Sequence, residues 1–159
     1  MQIHKDTKIG HVHLKVSDLK RSEEFYTKIL GFEVTARIGD SAVFLSAGGY
    51  HHHIGLNTWE SKGGTPPPAG YTGLFHFAIL LPSRLELAKV LKNILDNNYP
   101  FDGAADHDVS EAIYLQDPDG IGIELYCDRD EKEWVREGDS IKMGTRRLDL
   151  QGLLSELEK

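Results

Sequence analysis

The chain carries one pattern of secondary-structure signals twice, and that repeat limits the folds open to it. Residues 9–17, Ile-Gly-His-Val-His-Leu-Lys-Val-Ser, alternate as a strand does. Ile9, His11, His13 and Lys15 fall on one face, and Gly10, Val12, Leu14 and Val16 on the other. Asp18 is suited to cap a helix whose apolar stripe is Phe25, Tyr26, Ile29 and Leu30, with Gly31 placed to end it. Two strand-like runs follow, 32–38 and 41–47, joined at Gly39-Asp40, and Gly48-Gly49 turns the chain into a third at 50–58. The order is strand, helix, three strands.

The stretch 59–72, with Gly63-Gly64, Pro66-Pro67-Pro68 and Gly70, sustains neither helix nor ladder and reads as a linker. The pattern then begins again. Residues 74–81 form an apolar strand with Leu74, His76, Ala78 and Leu80 on one face. Ser83 and Glu86 make a capping box for a helix carrying Leu87, Val90, Leu91, Ile94 and Leu95, which Asn97-Asn98 and Pro100 stop. Strands at 111–116 and 121–127 flank the Asp117-Pro118-Asp119-Gly120 turn, and a weaker strand signal covers 101–104. His11 and His76 are 65 positions apart in the two first strands. Ile54-Gly55-Leu56 and Ile123-Glu124-Leu125 are 69 apart in the two last ones, so the second copy holds a small insertion.

Charge and composition exclude several functions. The 159 residues carry a formal charge of −7, and two adjacent cations occur only at Lys20-Arg21 and Arg146-Arg147, so no sequence-independent grip on nucleic acid is expected. No apolar run reaches the length of a membrane span, and residues 1–6 lack a signal-peptide core; a soluble, cytoplasmic protein without membrane or nucleic-acid partners is the expectation. The single cysteine, Cys127, excludes an internal disulfide and a cysteine-based zinc site. Eight histidines remain, and imidazole is the commonest ligand for transition metals. A histidine taken at random is more often an ordinary surface or core residue, so position must decide.

The two strand–helix–sheet units, the phrase His-Val-His-Leu-Lys-Val-Ser-Asp-Leu followed by Phe25-Tyr26 and Leu30-Gly31-Phe32, and the ending Tyr-Leu-Gln-Asp-Pro-Asp-Gly-Ile-Gly-Ile-Glu-Leu-Tyr resemble the vicinal oxygen chelate superfamily. That superfamily holds glyoxalase I, fosfomycin- and bleomycin-resistance proteins and extradiol dioxygenases, and the chain is most similar to extradiol proteins of the catechol 2,3-dioxygenase type. The resemblance covers roughly residues 8–130. It implies an α+β fold in which two tandem βαβββ units, about 8–58 and 73–128, form a curved mixed sheet around a metal-containing cavity. Residues 131–159 are then a C-terminal arm with a short helix.

Carried onto this chain, the family's metal ligands correspond to His11, His76 and Glu124. Two imidazoles and one carboxylate match the facial triad of non-heme iron, with open positions for reactants. The resemblance thus implies one divalent metal per chain, Fe(II) or Mn(II) foremost, with Zn(II) and Ni(II) as the other candidates. Gly55 stands where glyoxalase I has a fourth ligand, which disfavours that reaction. The extradiol acid–base residues correspond to His52, or His53 should that strand be bulged, to His107, and to Tyr114 ten residues before Glu124. The implied partner is a small aromatic or vicinal-oxygen substrate, and the implied reaction is ring opening of a catechol by dioxygen. The alternatives are a lyase, isomerase or transferase of the glyoxalase or fosfomycin-resistance kind, and a metal-free drug-binding resistance protein. A homodimer is also expected, both from the resemblance and from the stripe Leu150, Leu153, Leu154 and Leu157 behind Asp149.

Overall fold

The computed structural model describes all 159 residues. They form two compact units, Met1–Thr65 and Pro66–Lys159, whose boundary lies inside the expected linker. Each unit has a mixed sheet with helices, the α+β architecture expected.

In the first unit, β1 (Val12–Lys15) leads into α1 (Leu19–Glu24), which runs on as a π-helical turn over Phe25–Ile29. The Asp18 carboxylate accepts the Arg21 N–H at 3.0 Å, as an N-cap should, and Gly31 ends the helix at φ +82°. Strands β2 (Glu33–Ile38), β3 (Ala42–Ser46) and β4 (Ile54–Asn57) complete a sheet of order β1-β4-β3-β2, in which β1 and β4 run parallel. Leu14, Val16, Val43, Leu45, Ile54 and Leu56 are buried with Phe25 and Tyr26 of the helix. Each such side chain contributes roughly 1.5–3 kcal/mol of burial. The opposite sheet face keeps His13 and Lys15 exposed.

The second unit repeats this order with β5 (Phe77–Leu80), α2 (Arg84–Asp96), β6 (Gly103–Asp106), β7 (Ser110–Gln116) and β8 (Gly122–Asp128). Ser83 Oγ accepts the Glu86 N–H, and Asn98 leaves the helix at φ +50°. The buried face of α2 is Leu87, Ala88, Leu91 and Ile94; Leu95 lies half outside and Val90 at the margin, so the apolar stripe is rotated from the expected one. The β6 strand sits two residues later than its weak signal.

The register of the repeat is conserved between units. In β1/β4 the parallel partners are Val12↔Ile54 and His13↔Gly55; in β5/β8 they are Phe77↔Ile123 and Ala78↔Glu124. The same offsets of 65 and 69 that relate the sequences therefore relate the ladders, and Glu124 is the counterpart of Gly55. Strands β1, β4 and β5 start several residues later than their signals: His11 and His76 immediately precede β1 and β5, and residues 50–53 precede β4.

The C-terminal arm carries more structure than a helix. A small hairpin, β9 (Arg136–Glu137) and β10 (Ser140–Ile141), is followed by β11 (Arg146–Arg147), which pairs antiparallel with β6 and extends the second sheet to the order β11-β6-β7-β8-β5. Then α3 (Leu150–Leu154), capped by Asp149, packs on α2 with Leu153 fully buried. Of the leucine stripe, Leu153 is buried and Leu150, Leu154 and Leu157 are half-buried. No helix is long and apolar enough to cross a membrane.

Candidate metal and acid–base site

In the second unit the parallel pairing of β5 with β8 sets His76 beside Gly122 and puts Glu124 two residues further on the same face. A Cβ at Gly122 would overlap the Phe75 carbonyl, so glycine is what lets the backbone approach His76 this closely. The result is that His76 Nε2 lies 3.1 Å from Glu124 Oε2. Ligand atoms about 2.0–2.2 Å from one ion stand roughly this far apart, so an imidazole nitrogen and a carboxylate oxygen converge as two ligands would. The donor set fits a divalent transition metal.

The other Glu124 oxygen accepts the Tyr114 hydroxyl at 2.9 Å, a contact made across the antiparallel pair Tyr114↔Glu124. Burial, then the hydrogen bond and negative charge of Glu124, push the Tyr114 pKa up to about 12, so the phenol keeps its proton at neutral pH. On its far side Tyr114 OH meets His107 Nε2 at 2.6 Å. His107 sits in the turn between β6 and β7, where its N–H bonds the Ser110 carbonyl and Asp108 takes φ +70°. In the β6/β7 ladder Tyr114 stands opposite Gly103, which carries no side chain. A linear network His76–Glu124–Tyr114–His107 thus crosses the sheet. It borders a pocket of about 260 Å³ lined by Phe75, His76, Asp102, Tyr114 and Gln116 among others.

In the first unit, His11 packs against His52 with ring centroids 4.4 Å apart, and His52 also meets Phe44 and His51. Burial, followed by the charges of His11 and its other histidine neighbours, lowers the His52 pKa, which favours neutral imidazole. His53 turns elsewhere: its Nδ1 lies 3.1 Å from Ser46 Oγ and accepts the Ala47 N–H. Because 51–53 precede β4, strand alternation does not govern them, and it is His52 that joins His11. Within each unit, no three His, Cys, Asp or Glu side chains converge on one point. His76, Glu124, Tyr114 and His107 are together in the second unit, and His11 and His52 in the first.

Two features escape a reading of the sequence. The His13 ring lies over Gly55, where an added Cβ would come within 3.0 Å of it, so the first unit fills with imidazole the place where the second has Glu124. The repeat offset and the shared face of His11 and His13 could have flagged this. The other is the arm: Gly144 O lies 3.0 Å and Thr145 Oγ1 3.3 Å from His107 Nδ1. No local pattern signals that contact.

The fold and this geometry define a vicinal oxygen chelate protein, and the comparisons agree. The profile of the Glyoxalase/Bleomycin resistance protein/Dioxygenase superfamily matches residues 8–125, and the chain belongs to that superfamily. It is 42% identical over 156 residues to catechol-2,3-dioxygenase of Bacillus subtilis (strain 168), covering 97% of this chain and 53% of the relative. It is 27% identical over 122 residues to biphenyl-2,3-diol 1,2-dioxygenase 3 of Rhodococcus globerulus, covering 76% and 63%. The chain thus spans half to under two thirds of the length of these curated relatives. Among solved structures, a glyoxalase/bleomycin resistance/dioxygenase domain from Frankia sp. EAN1pec superposes with TM-score 0.64 at 26% identity, over 77% of this chain and 98% of that one. A glyoxalase/dioxygenase from Nostoc punctiforme gives 0.65 at 20% identity, over 77% and 92%.

Proposed function

We propose that the chain is an extradiol-type dioxygenase that opens a catecholic ring with dioxygen, using a divalent metal. The observation that carries this reading is the network His76–Glu124–Tyr114–His107, two ligand-type groups joined directly to a tyrosine and a histidine. The 42% identity to a catechol-2,3-dioxygenase supports it.

His11, His76 and Glu124 would hold the ion, Fe(II) or Mn(II) by donor chemistry. When bound, the ion supplies Lewis acidity toward two vicinal oxygens and the redox chemistry of dioxygen. The protein groups do the rest. Tyr114, protonated at neutral pH, can swing its one hydroxyl hydrogen from Glu124 to a substrate oxygen as that oxygen becomes anionic. His52, neutral by virtue of its surroundings, is suited to accept a catechol proton. Phe75 offers an apolar wall for the ring at the pocket mouth. Gly55, the counterpart of Glu124, has no side chain to supply a fourth ligand, which weighs against the glyoxalase reaction.

Anaerobic loading with Fe(II) should give about one ion per chain, and Glu124→Ala should abolish it. The loaded protein should then consume oxygen only when a catechol is added.

A further inference from the structure

We propose that the C-terminal arm is a positioning element for His107: Gly144 and Thr145 together give its Nδ1 a hydrogen-bond partner in either protonation state, so the ring can gain or lose a proton without turning away from Tyr114. The proposal rests on the dioxygenase reading for its catalytic meaning, but its structural content stands apart from it.

The argument is one of proton accounting. An ionised carboxylate only accepts, so the single Tyr114 proton is directed to Glu124 Oε1. Tyr114 oxygen must then accept from His107, which places a hydrogen on His107 Nε2 at 2.6 Å. In neutral imidazole the other nitrogen is bare and needs a donor, and the Thr145 hydroxyl at 3.3 Å is one. In imidazolium Nδ1 carries a proton and needs an acceptor, and the Gly144 carbonyl at 3.0 Å is one. One strand end therefore offers both senses of hydrogen bond to the same atom.

The arm is fastened so that it can hold this place. Gly144 N–H bonds back to the His107 carbonyl, and β11 pairs Arg146 with Asp106 and Arg147 with Ala105. Arg146 also forms ion pairs with Asp108 and with Asp106, while Arg129 holds Asp106 at 2.9 Å, so the charges around the turn neutralise one another. Further along, Arg84 binds the Gly152 carbonyl at 3.0 Å and Glu156 at 2.5 Å, with its Nε on the buried Glu111. A Cβ at position 144 would meet the Asp108 carboxylate, whose tip would have to shift.

The test is the tautomer of His107 read by long-range ¹H–¹⁵N NMR in the full-length, ¹⁵N-histidine-labelled chain, metal-free and Zn(II)-loaded, with assignment by His107→Gln. Neutral His107 is expected to carry its proton on Nε2; a wild-type proton on Nδ1 would overturn the proposal. Thr145 is exposed, so Thr145→Val should fold; with Nδ1 left without a donor, the proton should move to Nδ1, toward Gly144, and Tyr114 should turn its hydroxyl hydrogen from Glu124 to Nε2, while Thr145→Ser keeps the wild-type pattern. A valine variant with an unchanged Nε2 proton would also overturn it. In the Fe(II) enzyme the valine variant should lower kcat about 5-fold, the scale of one neutral hydrogen bond, and leave KM unchanged. A tautomer switch in a protein that consumes no oxygen would refute the dioxygenase reading alone; oxygen consumption without the switch would refute the positioning role alone.

Discussion

Tyr114 OH donates to Glu124 Oε1 at 2.9 Å, while the other oxygen of the same carboxylate lies 3.1 Å from His76 Nε2. One side chain thus joins a ligand-type pair to a phenol whose pKa is raised to about 12. The tyrosine is tied to the site but is not itself among the ligand-type groups.

Tyr114→Phe should therefore keep its metal. It removes one donor and none of the three ligand-type groups, so Fe(II) stoichiometry is expected to remain about one per chain, with turnover reduced ~10–100-fold. Elemental analysis alongside oxygen uptake checks both halves.

Gly55 and His13 should behave as a coupled pair. Gly55→Ala brings a Cβ against the His13 ring and should cost about 1–3 kcal/mol in urea unfolding. Adding His13→Ala should recover most of that loss, because the clash disappears with the ring. Strict additivity of the two changes would show that the ring moves aside freely.

Gly122→Ala should disturb the other unit differently. The new methyl meets backbone, the Phe75 carbonyl, which cannot swing away as a side-chain tip can. Beyond a similar loss of stability, about 1–3 kcal/mol, metal affinity should fall because His76 follows Phe75 directly. Titration with Zn(II) reads the affinity.

Much of this arrangement was legible in the sequence, for a physical reason. Strand alternation fixes the register wherever one sheet face is buried, so the offsets of 65 and 69 survived into the ladders and carried Glu124 to its place opposite Tyr114. Asp18, Ser83 and Asp149 cap as their chemistry demands. What alternation cannot reach was lost: residues 51–53 lie outside β4, so the choice between His52 and His53 waited on the structure. The contact of the arm with His107 spans 37 residues and leaves no periodic trace in the sequence. Nor does the pair Arg146-Arg147 signal that Arg146 is held by Asp106 and Asp108.

Acid should loosen the arm through Asp106. Burial opposes ionisation of this carboxyl, but the Asp108 N–H and the nearby Arg129 and Arg146 outweigh it and hold its pKa below the ordinary value. Its stabilisation is therefore complete above the unfolded pKa of about 3.9 and is lost as pH falls through the lower native value. Protection of the amides of 146–147 against hydrogen exchange, relative to their intrinsic rates, should fall below about pH 4 in the wild type. In Asp106→Asn the protection should already be lower at neutral pH and lack that contribution from residue 106.

The central claim is ring opening by dioxygen, and the fate of the oxygen atoms tests it most directly. Fe(II)-loaded protein should be supplied with a panel of catechols under ¹⁸O₂, and the products weighed by mass spectrometry. The account predicts one dioxygen consumed per catechol, with both labelled atoms entering a yellow ring-opened product. No oxygen consumption with any catechol, together with turnover of a hemithioacetal or another thiol adduct, would contradict it and assign the site to isomerase or lyase chemistry.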